Sequence, residues 1–503
     1  MENSINNNQI QSEDDEGSEI GNESSFDNWI ELQKLEDDLW VEVDDDIVNL
    51  EDMYFNDRIG VNSDVEIDYD SPLSIFSTIF TRELCGEICK ATNEYYFQKT
   101  QEFISKRSER WKNFEIDHFY KFISCLIIMG IHRLPDINDH FSSNIFLRTP
   151  VSDIITKNKF LLWLRYFHLP VTGTKTLNKV SSVMDYLVDK WNLVYSPGQD
   201  LALDEGTIPF KGRTKLKMYD PKKPEKWGLK MWMLCEADSG YCLNIKICEG
   251  KNSGCTPFRV VNFLLNNYQN KNHIIYFDSY FASPSLVLLM KTKGFGVVAT
   301  CKNNRKNLPS TISKNTEKGE VQVFCYDNDL LNINWHDKKR VTILATVGSN
   351  LMISNNSNYN ARIIPLAVSQ YNRFTHGCDK SNQMCSYYSF IHKTVKYWKN
   401  VFIRLLEITI VNSYVIHKKY STKTKTHKEF RLQLVDELLK SIQGNKSIRK
   451  FKIVHEQGRL EKRRNCHCST SIKRVTTSFY CTTCYRICNA IIPLCDSCFK
   501  THK

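Results

Sequence analysis

A chain of 503 residues, 41% hydrophobic and 25% charged, has the balance of a soluble globular protein and the length for two to four domains. Its richest apolar run, residues 122–130, is about half of the roughly 18–20 residues that a bilayer span needs, so no membrane segment is expected. No basic flank leads into an apolar stretch at the N-terminus, so no secretory signal is expected either.

The net charge of +10 conceals two opposed parts. Residues 1–70 hold 23 acidic residues against Lys34 and Arg58, a net of −21. The rest holds 65 basic and 34 acidic residues, a net of +31, and a body that basic suits a polyanion, nucleic acid being the commonest. Residues 1–72 have too few apolar side chains for a core and read as a disordered acidic tail, with at most a transient helix at 29–40.

From 73 to 198 apolar residues recur at helical spacing until Ser196-Pro197-Gly198-Gln199 ends the run. The period then changes. Residues 200–204 (DLALD) read as a strand and 229–248 as a hairpin turning at Asp238-Ser239-Gly240. Residues 273–278 (HIIYFD) form a buried strand ending in an acid, Pro284 opens a helix that Gly294 closes, and 296–301 is the next strand. Residues 321–348 look like another pair of strands, and a long amphipathic helical stretch follows 371–383 to about residue 417. The order predicts a mixed sheet with helices on its faces, an α/β architecture that resembles an RNase H-like core.

In such sheets ligands gather at the C-terminal ends of strands. Asp204 and Asp278 each end a strand, and Asp379 stands where the late helix begins. Three carboxylates meeting there form an all-oxygen donor set suited to Mg2+ or Mn2+, and two such ions support in-line phosphoryl transfer. The plainer alternative is that each aspartate is a turn former or helix cap.

The longer stretch around Asp204 is more specific. Asp204-Glu205, then Phe210-Lys211-Gly212-Arg213, then Lys223-Pro224-Glu225-Lys226-Trp227-Gly228, then Gly240-Tyr241 closely resembles the piggyBac family of DNA transposases and its domesticated relatives. The resemblance continues through 277–309, 335–346 and 371–384, with 92–97, 127–141 and 158–170 fitting upstream, and covers roughly residues 73–503. It implies a DDE/D-type transposase fold with Asp204, Asp278 and Asp379 on the metal-binding acids. It also implies cut-and-paste transposition through hairpin ends, integration at TTAA in double-stranded DNA, a homodimer and a nuclear location. Lys211, Arg213, Lys226, Trp227, Lys302 and Arg305 are basic or stacking-capable positions for phosphate or base, although Trp227 could equally be core. One departure stands out: the family's Asp-x-x-Asp-Gln is here Asp379-Lys380-Ser381-Asn382-Gln383, so the possible fourth ligand, Asn382, keeps a carbonyl oxygen and loses the charge.

Seven of the 18 cysteines crowd into the C-terminus. Cys466, Cys468, Cys481-x2-Cys484, Cys488, Cys495-x2-Cys498 and His502 would hold two structural Zn2+ ions in a cross-brace, with His467 able to replace a ligand beside the short Cys-x-Cys. The resembling family ends in a cysteine-rich domain that reads transposon-end DNA; a RING-like ligase module is the rival for this segment alone. The basic runs 417–428 and 446–464 suit phosphates or nuclear import.

The expected organisation begins with an acidic tail (1–72), a leading helical segment (73–198) and the larger share of the core (199–310). A β-rich insertion (311–361) then separates this from the remainder of the core (362–384). A trailing helical segment (385–445), which would join the leading one in DNA binding and dimerisation, a basic linker (446–463) and a zinc domain (464–503) complete it. Two functions remain open: a metal-dependent DNA transposase, or a domesticated, catalytically weak or inactive DNA-binding protein.

Overall fold

The computed structural model describes residues 35 and 39–501, except 45, 103–110, 172, 174–175, 222, 224, 251–254, 313–316, 358–359, 393, 444–456, 467–474, 483–490 and 492. Two compact units result, one up to Leu438 and one from Leu439.

The first unit is built on a ten-stranded sheet: β1 (Trp40–Val43), β2 (Asp200–Pro209), β3 (Lys217–Tyr219), β4 (Trp227–Glu236), β5 (Cys242–Ile247), β6 (Ile274–Phe277), β7 (Gly296–Cys301), β8 (Val321–Tyr326), β9 (Leu330–His336) and β10 (Arg340–Ala345). The spatial order is β1-β8-β9-β10-β7-β6-β2-β4-β3, with β5 also on β4. Only β2, β6 and β7 run parallel. That explains the unbroken apolar runs at 275–277 and 297–299, because parallel strands are covered on both faces. The helix Pro284–Thr292 carries the chain from β6 to β7; the Ser283 side chain caps it and Gly294, at φ 77°, lets the chain turn out of it.

Several expectations are corrected. Residues 321–348 make three strands, since Asp327 and Asn328, both at positive φ, form a tight turn inside the run. These strands lengthen the sheet beyond β7. The stretch from residue 39, expected in the acidic tail, is folded: β1 pairs with β8, and Leu50 is buried with Val323, Ile333 and Val347. Its acids mask an apolar series, Val43, Val48, Leu50 and Met53, which packs on the sheet while the carboxylates stay outside. The tail up to Lys34, and most of the 29–40 helix, lie outside the described residues.

The late helical stretch is broken. A helix Gly377–Tyr387 ends before a non-helical segment, and a second helix, Tyr397–Tyr420, is buried on nearly every face, with Lys399, Asn400, Arg404, Glu407 and Asn412 among its buried residues. It packs against Pro72–Ile79, Ser181–Val194 and β2. The expected basic arm at 417–428 is partly structural, since His417 is buried and Ser421 and Thr422 donate hydroxyls to Asp70. Among the described residues no helix is long and apolar enough to cross a membrane.

In the second unit Gln457–Asn465 pairs antiparallel with Thr476–Cys481, and Asp496–Thr501 is a short helix. Residues 457–463, expected as linker, are strand; 446–456 lie outside the described residues.

Candidate active site

In the β2–β6 ladder Leu203 is the partner of Phe277, so Asp204 and Asp278 stand at adjacent positions. Asp278 follows the end of β6, but Asp204, expected to end its strand, lies inside β2, which runs on to Pro209 because residues 205–209 continue the pairing with β4. The Tyr280 N–H donates to the Asp278 carboxylate at 2.9 Å. The loop is held from behind by Arg305, which donates to the Ser279 and Tyr280 carbonyls at 2.9 and 2.6 Å. Arg305, expected to contact DNA, therefore spends its guanidinium on the loop carrying Asp278.

The third acid arrives on the helix Gly377–Tyr387, which lies against β2 and β4. Contact is backbone-close: a Cβ at Gly377 would sit 2.8 Å from the Glu236 carbonyl oxygen and 2.9 Å from Ala237 Cα. The Cys378 thiol donates to the Ala202 carbonyl at 3.2 Å, and Lys380 Nζ donates to the Ala237 and Asp238 carbonyls at 2.9 and 3.0 Å. So fixed, Asp379 points outward with its side chain 64% exposed, beside His376 at 3.4 Å. Asn382 lies one turn further on and donates to the Glu205 carbonyl at 3.4 Å, its oxygen facing Gly206.

The electrostatics record the crowding. Burial, and then the Asp278, Asp379 and Glu205 charges, push the Asp204 carboxyl up to about 6, against a single opposing N–H from Glu205. Asp278 is raised by burial and the Glu205 charge, while Lys230 and Lys302 offset part of this. Glu205 would also rise through burial, but Lys230 and Lys223, at 2.8 and 3.0 Å, hold it below its ordinary range. An all-carboxylate pocket that resists its own charge fits hard divalent cations. The three aspartates do not form one ion's coordination sphere, for among the described residues only Cys466, Cys495 and Cys498 have donor atoms all within 4.8 Å of one another.

Around this centre Lys211, Arg213, Lys226 and Lys302 are exposed. Trp227 is 43% exposed; its ring lies 4.6 Å from that of Tyr219, with Lys217 Nζ 4.8 Å from its centroid, so it is a surface platform and not core. Sequence reasoning passed over Lys223 and Lys230, and nothing short of the strand register signals them. Lys230 also sits 3.9 Å from the Trp232 ring centroid. A cleft of about 1020 Å³ opens beside Glu205, Asp379 and Asn382.

In the second unit the Cys466–Cys495–Cys498 group fits a soft, thiolate-binding ion such as Zn2+. The Cys495 N–H donates to Cys466 Sγ at 3.1 Å, and hydrogen bonds from Ser497 and the Cys498 N–H bring the Cys495 thiol down to about 6. Cys481 is buried outside this group, and Cys468, Cys484, Cys488, His467 and His502 lie outside the described residues.

The chain is of the transposase class: the family model described as Transposase IS4 matches residues 71–414. The human PiggyBac transposable element-derived protein 5 is 23% identical over 403 residues, 73% of this chain and 75% of its own. A piggyBac transposase, solved by cryo-EM as a synaptic complex with hairpin DNA, is 22% identical and matches with a TM-score of 0.68 over 88% of this chain and 100% of that one. The chain belongs to the piggyBac transposase family.

Proposed function

We propose that this chain is a DNA transposase that cuts and rejoins strands at an RNase H-like centre made by Asp204, Asp278 and Asp379. The observation that carries the reading is the convergence of the three aspartates. Two stand at one register level, Asp204 within β2 and Asp278 just past the end of β6, and the third rides a helix seated on the same sheet by Gly377. The order β3-β4-β2-β6-β7, antiparallel then parallel, supports the RNase H-like reading.

Asp204, Asp278 and Asp379 would hold Mg2+ or Mn2+, with the Asn382 carbonyl oxygen as a neutral fourth donor. Such ions, when bound, supply Lewis-acid stabilisation of the charge that builds on the reacting phosphate and lower the pKa of an attacking hydroxyl. The chain's own residues do the remainder. Arg305 and the Tyr280 N–H orient Asp278, and the Lys223 and Lys230 ammonium groups keep Glu205 ionised beside it. Lys211, Arg213, Lys226 and Lys302 meet the DNA backbone, and Trp227 offers a base a stacking face. The substrate is double-stranded DNA with transposon ends, hairpin intermediates and TTAA targets. A homodimer formed through the helical segments, a second unit holding two Zn2+ ions and reading DNA ends, and a nuclear location complete the reading.

Asn382 favours a second reading, a domesticated binder whose centre is weakened by one lost charge. The Asp278→Ala variant separates fold from chemistry. It should abolish metal-dependent strand cleavage and leave the melting temperature near that of the wild type; wild-type cleavage by the variant overturns the triad.

A further inference from the structure

The cleft beside the carboxylates has a floor that the proposed chemistry does not use. One wall is the end of the helix Ile116–His132 with residues 133–137, and the other is the segment 386–392. The walls are pinned together, because Gly130 lies against the Tyr388 carbonyl so closely that no Cβ fits, and Arg133 donates to the Ser386 carbonyl.

Arg404 lies at the floor, 5% exposed and lining the cavity. Its guanidinium meets the Cys385 thiol and its Nη1 is 3.5 Å from Glu407 Oε2, an ion pair without a hydrogen bond, so that Nε and Nη1 have no hydrogen-bond partner. Glu407 turns its other oxygen to the Phe390 N–H at 3.1 Å. Arg431, 1% exposed, is the second guanidinium around Glu407; its Nε donates to His427 Nε2, which must be unprotonated to accept. Two buried guanidiniums thus face one carboxylate.

A buried cation short of partners is costly to keep, and a planar guanidinium with free N–H groups matches a phosphate. Arg133 at the rim adds a positive charge, and the volume of about 1020 Å³ has room for a nucleotide or more.

We propose that this cleft is a phosphate-binding subsite for the DNA strand that runs into the carboxylate centre, with Arg404 as its floor ligand. The proposal rests on the transposase reading above. A free phosphate ion shares the chemistry, so the test must distinguish the two sources.

Arg431 still faces Glu407 when Arg404 is removed, so the variant is the single substitution Arg404→Met, which leaves one guanidinium against one carboxylate and keeps an apolar floor. The full-length chain and the variant are titrated with a labelled duplex bearing a 3′ single-stranded extension over a series of salt concentrations. Each is also melted with and without inorganic phosphate. The expected result is an unchanged or higher melting temperature, an affinity about tenfold lower and a salt slope reduced by about one phosphate contact. Arg404→Lys should recover part of the affinity by restoring charge without the planar fork. Equal affinity and equal slope in wild type and Arg404→Met overturn the DNA assignment. If phosphate then raises the melting temperature of the wild type only, the ligand is the free ion; if it raises neither, the subsite falls while the transposase reading stands. No DNA binding by the wild type overturns the transposase reading, and the subsite with it.

Discussion

Lys399 shows how burial sets the chemistry of single residues here. Buried among apolar side chains and near Lys396, it donates to the Leu164 carbonyl, and burial first, then the Lys396 charge, bring its ammonium down from 10.5 to about 7. The unfolded chain then binds more protons than the folded one between about pH 7 and 10.5, so this residue's contribution to stability rises with pH across that window and is least favourable below it. Lys399→Met should therefore melt several degrees higher than wild type at pH 7, with the difference shrinking by pH 9.5. A difference that does not change with pH would show that the lysine is not buried as a cation. Elsewhere at this scale the sequence was uneven. Asp278 could be read because a strand end leaves a visible pattern, an apolar run closed by an acid; Asp204 shows the same pattern although its strand runs on to Pro209. Arg305 and Trp227 could not be placed, because a basic residue holding a loop and one facing a phosphate look alike in sequence. An aromatic gives no sign of its exposure either.

Among the elements, the helix Gly377–Tyr387 decides whether the third carboxylate reaches the sheet. The glycine permits backbone contact, and the cost of a methyl group falls on the rigid Glu236–Ala237 segment and not on a flexible side chain. Gly377→Ala should fold, yet shift Asp379 by a fraction of an ångström and reduce strand cleavage at least tenfold. Circular dichroism and a cleavage rate on the same preparation check this, and an unimpaired rate would mean that Asp379 tolerates displacement. The strands β2, β4, β5, β6 and β7 were legible from period and punctuation. The third strand within 321–348 was missed because its turn, Asp327-Asn328, lacks glycine. β1 was hidden by the acids around it, since composition averages over a segment whereas pairing depends on a few alternate positions.

The whole molecule combines a sheet-based unit that lies within the transposase family and a small second unit rich in cysteine. A segment that short has little apolar surface to bury, so metal should supply much of its folding free energy. Elemental analysis of the purified chain is expected to find about two zinc ions per chain, and about one fewer in Cys495→Ser. Unchanged zinc in that variant would contradict the placement of an ion at Cys466, Cys495 and Cys498. The roles of Lys223 and Lys230 became visible only through folding, which brings both to Glu205. Whether Asp204, Asp278 and Asp379 cut DNA is decided by strand cleavage of a TTAA-flanked element in Mg2+ by wild type, Asp379→Ala and Asn382→Asp. Cleavage is expected from the wild type, none from Asp379→Ala, and faster cleavage from Asn382→Asp, which restores a charged donor. Cleavage confined to Asn382→Asp would make the natural chain a binder on an intact scaffold. Equal cleavage by wild type and Asp379→Ala, or silence in all three, would rule out the three aspartates as the cutting centre.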